Sequence, residues 1–204
     1  LFKSDAQRGM HSKYNHRIYE LDRDFSQINN VKVLVVGNSF ARDWVNVLLE
    51  SDFSDDLEVS YSFSVYENNN LQHRAERADI IFFSTTPVAA LEQLTVDRSK
   101  VWSVGTKNFG SSSGIFYNYR GDNYCGQRAS LDPIYIDRNN DLKRQWGHQF
   151  VDIIGTLADE HNSVAVFTPD CRLISQDTRH LTLSGARYIA LILEPELKQI
   201  LSVD

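Results

Sequence analysis

Residues 33–44 read Val-Leu-Val-Val-Gly-Asn-Ser-Phe-Ala-Arg-Asp-Trp, VLVVGNSFARDW. An apolar, largely β-branched run stops at Gly37-Asn38-Ser39, and a helix-like pattern begins at once. The full run, VKVLVVG over 31–37, reads as a strand buried on both faces, as in a parallel sheet. A serine at such a corner is a helix cap, part of a phosphate-binding turn, or a reactive hydroxyl. Serine is favoured as a cap. A phosphate loop has little support, because neither G-x-x-x-x-G-K-[ST] nor G-x-G-x-x-G occurs.

The same rhythm continues outward from this corner. ARDWVNVLLES (41–51) places Trp44, Val45, Val47, Leu48 and Leu49 on the apolar side of a helix. LEVSYSFSVY (57–66) alternates like a strand, and NNLQHRAERA (69–78) reads as a polar helix leading into the strand ADIIFFST (78–85). PVAALEQLTV (87–96) opens a helix with proline, and KVWSVG (100–105) is a fourth strand. A segment rich in Gly, Ser, Asn and Tyr runs from 106 to 140. The spacing predicts a helix over 144–161, a fifth strand at SVAVFT (163–168), a helix at LSGARYIALIL (183–193) and a short helical tail after Pro195. Strands alternating with helices predict a five-stranded parallel sheet covered on both faces: a flavodoxin-like, three-layer α/β/α domain over 31–204. Residues 1–30 form a polar, aromatic extension packed on that domain, with Ile18, Leu21 and Phe25 at helical spacing.

Composition narrows the function classes. The 204 residues are 42% hydrophobic and 24% charged, ordinary values for a soluble globular chain. The net charge of -6 comes from acidic and basic residues mixed along the sequence, with no basic cluster to bind nucleic acid. No apolar run approaches the roughly 18–20 residues that span a bilayer. The chain starts at Leu1 with neither Met nor an apolar leader, so the expectation is an excised or processed piece. Cys125 and Cys171 are the two cysteines. They are either separate thiols or one disulfide, which would imply an oxidising compartment. No Cys/His spacing supports a metal site.

In an open parallel sheet, ligands bind beyond the carboxyl ends of the strands. Ser39 lies at such an end. A nucleophilic serine needs a base and a group that orients the base. Of the six histidines, His11 and His16 fall in the extension, His73 in a charged helix, His161 at a helix end, and His148 between Trp146 and Phe150. His180 differs. It stands in Ser175-Gln176-Asp177-Thr178-Arg179-His180-Leu181-Thr182-Leu183-Ser184-Gly185-Ala186, ahead of the last helix. Asp177 precedes it at a spacing that puts both side chains on one side of a turn. The carboxylate then accepts the ring N–H, which fixes the tautomer and stabilises the imidazolium. Asp170 is the rival orienting group. By themselves Asp177 and His180 also fit a solvated surface pair.

A GDS-like block after strand one with a D-x-x-H near the C-terminus resembles the SGNH/GDSL hydrolase superfamily. VLVVGNSFARDW, ADIIFF, GTKNFG and ISQDTRHLTLSGA together are similar to the C-terminal SGNH domain of membrane-bound acyltransferases that O-acetylate bacterial surface polysaccharides. RGMHSKYNHRIYELDRDF (8–25) resembles the extension joining that domain to the membrane-embedded half. The resemblance implies Ser39 as nucleophile, His180 as general base and Asp177 as its orienting carboxylate. It implies the Ser39 backbone N–H as one oxyanion donor. It implies a carbohydrate or lipopolysaccharide acceptor and a transmembrane acyltransferase domain on the same polypeptide. Acyl-CoA would be the ultimate acetyl donor to that membrane domain, with no cofactor and no metal bound in this one. The expected location is the periplasm or the extracytoplasmic face of the inner membrane.

The sequence departs from the superfamily pattern in three places. Asn38 replaces the usual aspartate. No glycine occurs between Gly37 and Gly105 to supply the second-block N–H, which leaves donors from the 63–68 region. The third-block asparagine is absent near Ser84-Thr85-Thr86. Asn108 is the candidate by residue type, with Thr85 or Thr86 as rivals and a plain turn role as the alternative. Phe109, Phe116, Tyr117, Tyr119 and Tyr124 suit either a carbohydrate face or an ordinary packed loop. Three functions stay open: an O-acyltransferase, which leads; an autonomous carbohydrate acetyl-esterase using the same residues; and a carbohydrate-binding module without turnover.

Overall fold

The computed structural model describes residues 13–26, 30–63, 70–84, 94–110, 121 and 123–201. Its strands are β1 Val31–Val36, β2 Leu57–Ser62, β3 Ile80–Ser84, β4 Val101–Val104, β5 Arg128–Ser130, β6 Phe150–Val151 and β7 Ser163–Ala165. Its α-helices are α1 Ser39–Leu49, α2 Leu71–Arg77, α3 Pro133–Trp146, α4 Ile153–Leu157, α5 Leu183–Ile192 and α6 Glu194–Leu201. A five-stranded sheet runs in the order β2-β1-β3-β4-β6 with every pairing parallel. This is the flavodoxin-type order, which reverses direction between β1 and β3 and opens a crevice there.

The layers follow from the alternation of side chains along β1. Val33 and Val35 point to a core shared with Trp44, Val47 and Leu48 of α1, Ile189 of α5 and Leu197 of α6. Leu34 and Val36 point to the opposite core, with Leu71 and Ala75 of α2 and Leu142 and Trp146 of α3. All four are fully buried. Each such side chain is worth roughly 1.5–3 kcal/mol, against the ~5–15 kcal/mol by which domains are stable. Baring either face would therefore remove much of the stability, and the three-layer α/β/α arrangement is the way to cover both.

The expected five-stranded parallel sheet is present, but its fifth strand is not the expected one. Ser163–Ala165 pairs antiparallel with Arg128–Ser130 in a separate two-stranded ribbon. Only its central Val164 is buried, as suits a ribbon with one covered face. The fifth strand is Phe150–Val151, both residues buried, beside β4. It lies inside the stretch expected to be one helix over 144–161. That helix is divided: Gly147 at φ +59 ends α3, because L side chains disfavour this conformation, and Asp152 starts α4 by accepting the Gly155 N–H at 2.8 Å. The expected long irregular segment over 106–140 is also corrected at its far end. Asp132 accepts the Ile134 N–H at 3.0 Å and Pro133 opens α3. Few apolar residues mark this helix: its buried positions are Asn139, Leu142 and Trp146. The expected helix over 87–96 falls largely outside the described residues.

The extension reaches the core through a 3-10 turn at Arg17–Leu21, with Ile18 fully buried and Phe25 nearly so. Arg17 donates to Asn46 Oδ1 on α1 at 3.1 Å and to Oε1 of Glu50, the residue just after α1, at 2.8 Å. No described helix is long and apolar enough to cross a membrane.

Of the two readings for the cysteines, the structure takes the disulfide. Cys125 and Cys171 are bonded across 46 residues with their Cα atoms 5.2 Å apart. The bond fastens the segment before β5 to the loop after β7, beside a small cluster of Val166, Phe167 and Tyr124. A cross-link of this kind typically contributes about 2–4 kcal/mol. Urea unfolding of the oxidised chain and of Cys171→Ser is expected to differ by about that amount; equal stabilities would show that the cross-link does not constrain the chain.

Candidate active site

Ser39 is the first residue of α1, immediately beyond the carboxyl end of β1. The helix cap is not Ser39 but Asn38, whose side chain accepts the Phe40 N–H at 3.0 Å. Asparagine serves this position as well as serine does. The cap thus comes from the residue that departs from the superfamily pattern, and the Ser39 hydroxyl is left for another partner. Tyr61 of β2 donates its phenolic O–H to the Gly37 carbonyl at 3.0 Å and holds the corner from the neighbouring strand.

That partner is His180. Its Nε2 lies 2.9 Å from Ser39 Oγ, across 141 residues of sequence. Its Nδ1 lies 2.6 Å from Asp177 Oδ2. An ionised carboxylate only accepts, so the ring proton sits on Nδ1 and Nε2 accepts the serine O–H. The other carboxylate oxygen, Asp177 Oδ1, accepts the backbone N–H of Arg179 at 3.0 Å and of His180 at 2.8 Å. The carboxylate therefore shapes its own loop as well as holding the ring. Thr178, in the middle of this turn, has φ +68, a strained setting for a β-branched residue. Its carbonyl accepts the Phe109 N–H at 2.8 Å.

The loop is clamped at its base. Ser175 and Leu181 form an isolated antiparallel bridge. Thr182 caps α5 by accepting the Gly185 N–H at 2.9 Å and donates its hydroxyl to the Leu173 carbonyl. Gly185 explains the last part of the D-x-x-H-L-T-x-x-G-A stretch. A Cβ there would stand 2.1 Å from the Ile174 carbonyl oxygen. The helix start and the 174–175 backbone approach this closely only because the side chain is missing.

The other candidates separate cleanly. Asp170, the rival orienting carboxylate, accepts the Thr168 hydroxyl instead. His73 faces Asp24 at 3.3 Å, His148 meets the Trp102 ring edge-on and His161 lies beside Glu160. Phe109 is a core residue and Tyr124 packs on Phe167, so these two aromatics take the packed-loop reading. Phe116, Tyr117, Tyr119, Thr85, Thr86 and residues 64–68 lie outside the described residues. Asn108 is buried, and its Oδ1 accepts the Gly110 N–H at 3.1 Å, which is a turn contact. Its neighbours on both sides touch the site: Lys107 lies over the Phe40 ring at 4.6 Å, and Phe109 is bonded to Thr178. Among the described residues no group of three or more His, Cys, Asp and Glu is placed to hold a metal ion.

One feature was missed in the sequence. Asp43, one turn after Ser39 on α1, is fully buried and forms an ion pair with the buried Lys107. Asp43 Oδ2 also accepts the Leu181 N–H at 2.8 Å, next to His180. Burial lowers the Lys107 ammonium pKa, opposed by the charge and hydrogen bond of Asp43. Deleting one member of such a pair typically costs ~3–5 kcal/mol. The signal was available: a charged residue at 43 interrupts the apolar face marked by Trp44, Val47 and Leu48.

Burial alone would raise the Asp177 carboxyl pKa, but the bonds from the His180 ring, the His180 N–H and the Arg179 N–H outweigh it and hold it at about 2. A carboxyl depressed in the folded state contributes stability that is fully present above its unfolded pKa, about 3.9, and is lost as pH falls through the folded value. A carbon-13 NMR titration of the Asp177 carboxyl is expected to give a midpoint near 2; a midpoint in the ordinary range, about 4, would mean these bonds do not form in solution. Gly185→Ala is expected to destabilise the chain by about 1–3 kcal/mol through overpacking, read as a lowered midpoint in urea; an unchanged midpoint would refute the close approach.

No protein-family model matches the sequence, and no curated protein matches it. Among solved structures, the chain is similar to the periplasmic domain of a lipopolysaccharide acetyltransferase from Salmonella ser. Paratyphi A, with a TM-score of 0.59 at 9% identity over 92% of this chain and 96% of that one. A carbohydrate acetylesterase family member from Sinorhizobium meliloti gives a TM-score of 0.43 at 13% identity over 85% of this chain and 100% of that one. At 9% identity the first likeness is one of fold, and the three-layer sheet of this chain is an SGNH-like arrangement.

Proposed function

We propose that this domain transfers an acetyl group, through an acyl-enzyme on Ser39, to a hydroxyl of a carbohydrate such as lipopolysaccharide. The observation that carries the reading is the Asp177–His180–Ser39 chain, with links of 2.6 and 2.9 Å. His180 Nε2 takes the serine proton as Oγ attacks the acetyl carbonyl. Asp177 stabilises the resulting imidazolium, which then protonates the leaving group. In the second half, His180 takes the proton of the acceptor hydroxyl, and Ser39 leaves with its proton restored. The tetrahedral oxyanion needs fixed donors. The Ser39 N–H, at the first position of α1, has no partner within its own helix by helix geometry. The Asn108 side-chain amide is the second donor in this proposal, since its Oδ1 is already committed to the turn.

The shared fold of the Salmonella lipopolysaccharide acetyltransferase periplasmic domain supports the acceptor class. The disulfide supports an oxidising, extracytoplasmic location. Residues 13–26, held on α1 by Arg17, would lead from this domain to a transmembrane acyltransferase domain of the same polypeptide, which would bring the acetyl group from acyl-CoA. A second reading, hydrolysis by a carbohydrate acetyl-esterase, is favoured by one observation. The His180 side chain is 31% exposed, so water reaches the base as easily as a sugar does.

Ser39→Ala is expected to abolish acetyl labelling of the chain by p-nitrophenyl acetate, read by intact-mass spectrometry; labelling at the wild-type level would remove the nucleophile assignment. Asp177→Asn leaves the ring in the wrong tautomer and is expected to slow acylation by about 10³–10⁴-fold. Partition of the acyl-enzyme between water and added sugar separates the two readings. Acetylated sugar supports transfer, whereas free acetate alone at saturating sugar supports the esterase.

A further inference from the structure

We infer that Asp43 is a positioning residue that, together with Lys107, sets the His180 loop against Ser39. The inference rests on the proposed role of the Ser39–His180–Asp177 chain. Three segments meet at this buried carboxylate. Asp43 is carried by the nucleophile's own helix, four residues beyond Ser39 and on the same side of it. Its Oδ2 accepts the Leu181 N–H at 2.8 Å and so fixes the backbone directly after His180. The same oxygen pairs with Lys107, which belongs to the 105–110 segment that carries Asn108. Arg42 closes the other carboxylate oxygen at 3.2 Å.

Lys107 adds a second line of contact. Its ammonium lies over one face of the Phe40 ring at 4.6 Å, and that ring meets the His180 imidazole edge-on with centroids 6.1 Å apart. The pair therefore touches the histidine from two directions: through the Leu181 backbone and through Phe40. Stability alone does not call for a charged pair here. Burying two charges carries a desolvation cost, and an apolar pair of similar volume is often as stable or more so. What an apolar pair cannot do is accept the Leu181 N–H while gripping the 105–110 segment. Asp43 touches neither substrate nor the reacting atoms in this scheme. It acts through His180.

The test follows from that distinction. Asp43→Leu with Lys107→Met replaces the pair by apolar groups and removes the acceptor for Leu181. Asp43→Asn with Lys107→Met is equally neutral but keeps an acceptor oxygen. The rate of Ser39 acylation by p-nitrophenyl acetate is measured per folded molecule, alongside Tm and the low-field proton resonance of the His180 Nδ1–H. The expected result for the Leu/Met variant is an acylation rate at least about tenfold lower, KM changed less than about twofold, and loss of the low-field resonance, as the loss of a fixed orientation dictates. The Asn/Met variant is expected to recover most of the rate. A folded Leu/Met variant that acylates at the wild-type rate and keeps the resonance overturns the inference. Should the Leu/Met variant not fold, the smaller Asp43→Ala with Lys107→Met, which also removes the acceptor for Leu181, decides: a wild-type rate overturns the inference, and a lowered kcat with unchanged KM supports it. Ser39→Ala is run beside these variants. If it still acylates, the Ser39 reading has failed; if it is inert while the Asp43 variants are normal, only the positioning role has failed.

Discussion

The whole arrangement depends on the burial of β1 on both faces. Val33 to Val36 have no exposed side, so helices must lie above and below them. Once they do, every strand of the sheet runs the same way, and the carboxyl ends gather along one edge. The reversal of strand order beside β1 opens that edge, and Ser39 stands at the opening. The location of the Ser39 corner is thus a consequence of hydrophobic burial before any chemistry is considered.

A division of labour between two adjacent side chains then shapes the corner. Helix α1 needs an acceptor for its first N–H groups, and a capping side chain is worth about 1 kcal/mol. Had Ser39 supplied it, its hydroxyl would be engaged in its own helix. Asn38 caps instead, one residue earlier, and Ser39 Oγ turns to His180. A similar economy holds on the other side. Asp177 uses one oxygen to shape the 177–180 turn and the other to hold the imidazole, so loop geometry and ring orientation share one carboxylate.

What the sequence disclosed was whatever depended on neighbouring residues. The β1–Gly-Asn-Ser–α1 corner and the Asp177–His180 pair are local, and both were legible. Ser39 and His180 were expected to meet because both were placed after strands of one sheet. The strand before His180, Ser163–Ala165, lies in the separate ribbon, so the topological premise was wrong although the two residues do meet. The fifth strand was hidden because Phe150–Val151 is too short to show a period and sits among residues with helical spacing. Helix α3 was hidden for the opposite reason: its face against the sheet is narrow, and most of its residues are polar. Asp43 and Lys107 lie 64 residues apart, and nothing in either neighbourhood names the other. Long-range pairings between single residues leave no pattern in a sequence, whereas periodic faces and caps do.

The distance of 141 residues between Ser39 and its histidine also has a temporal side. During synthesis the chain emerges from its N-terminus, so residues 31–49 are made long before residues 177–180. Throughout that interval Ser39 carries an ordinary alcohol with no base beside it. Only when the last segment docks does the hydroxyl acquire its partner. Under the proposed function, an incomplete or arrested chain therefore carries the serine without its base, and the order of arrival would keep the hydroxyl silent until the domain around it is whole.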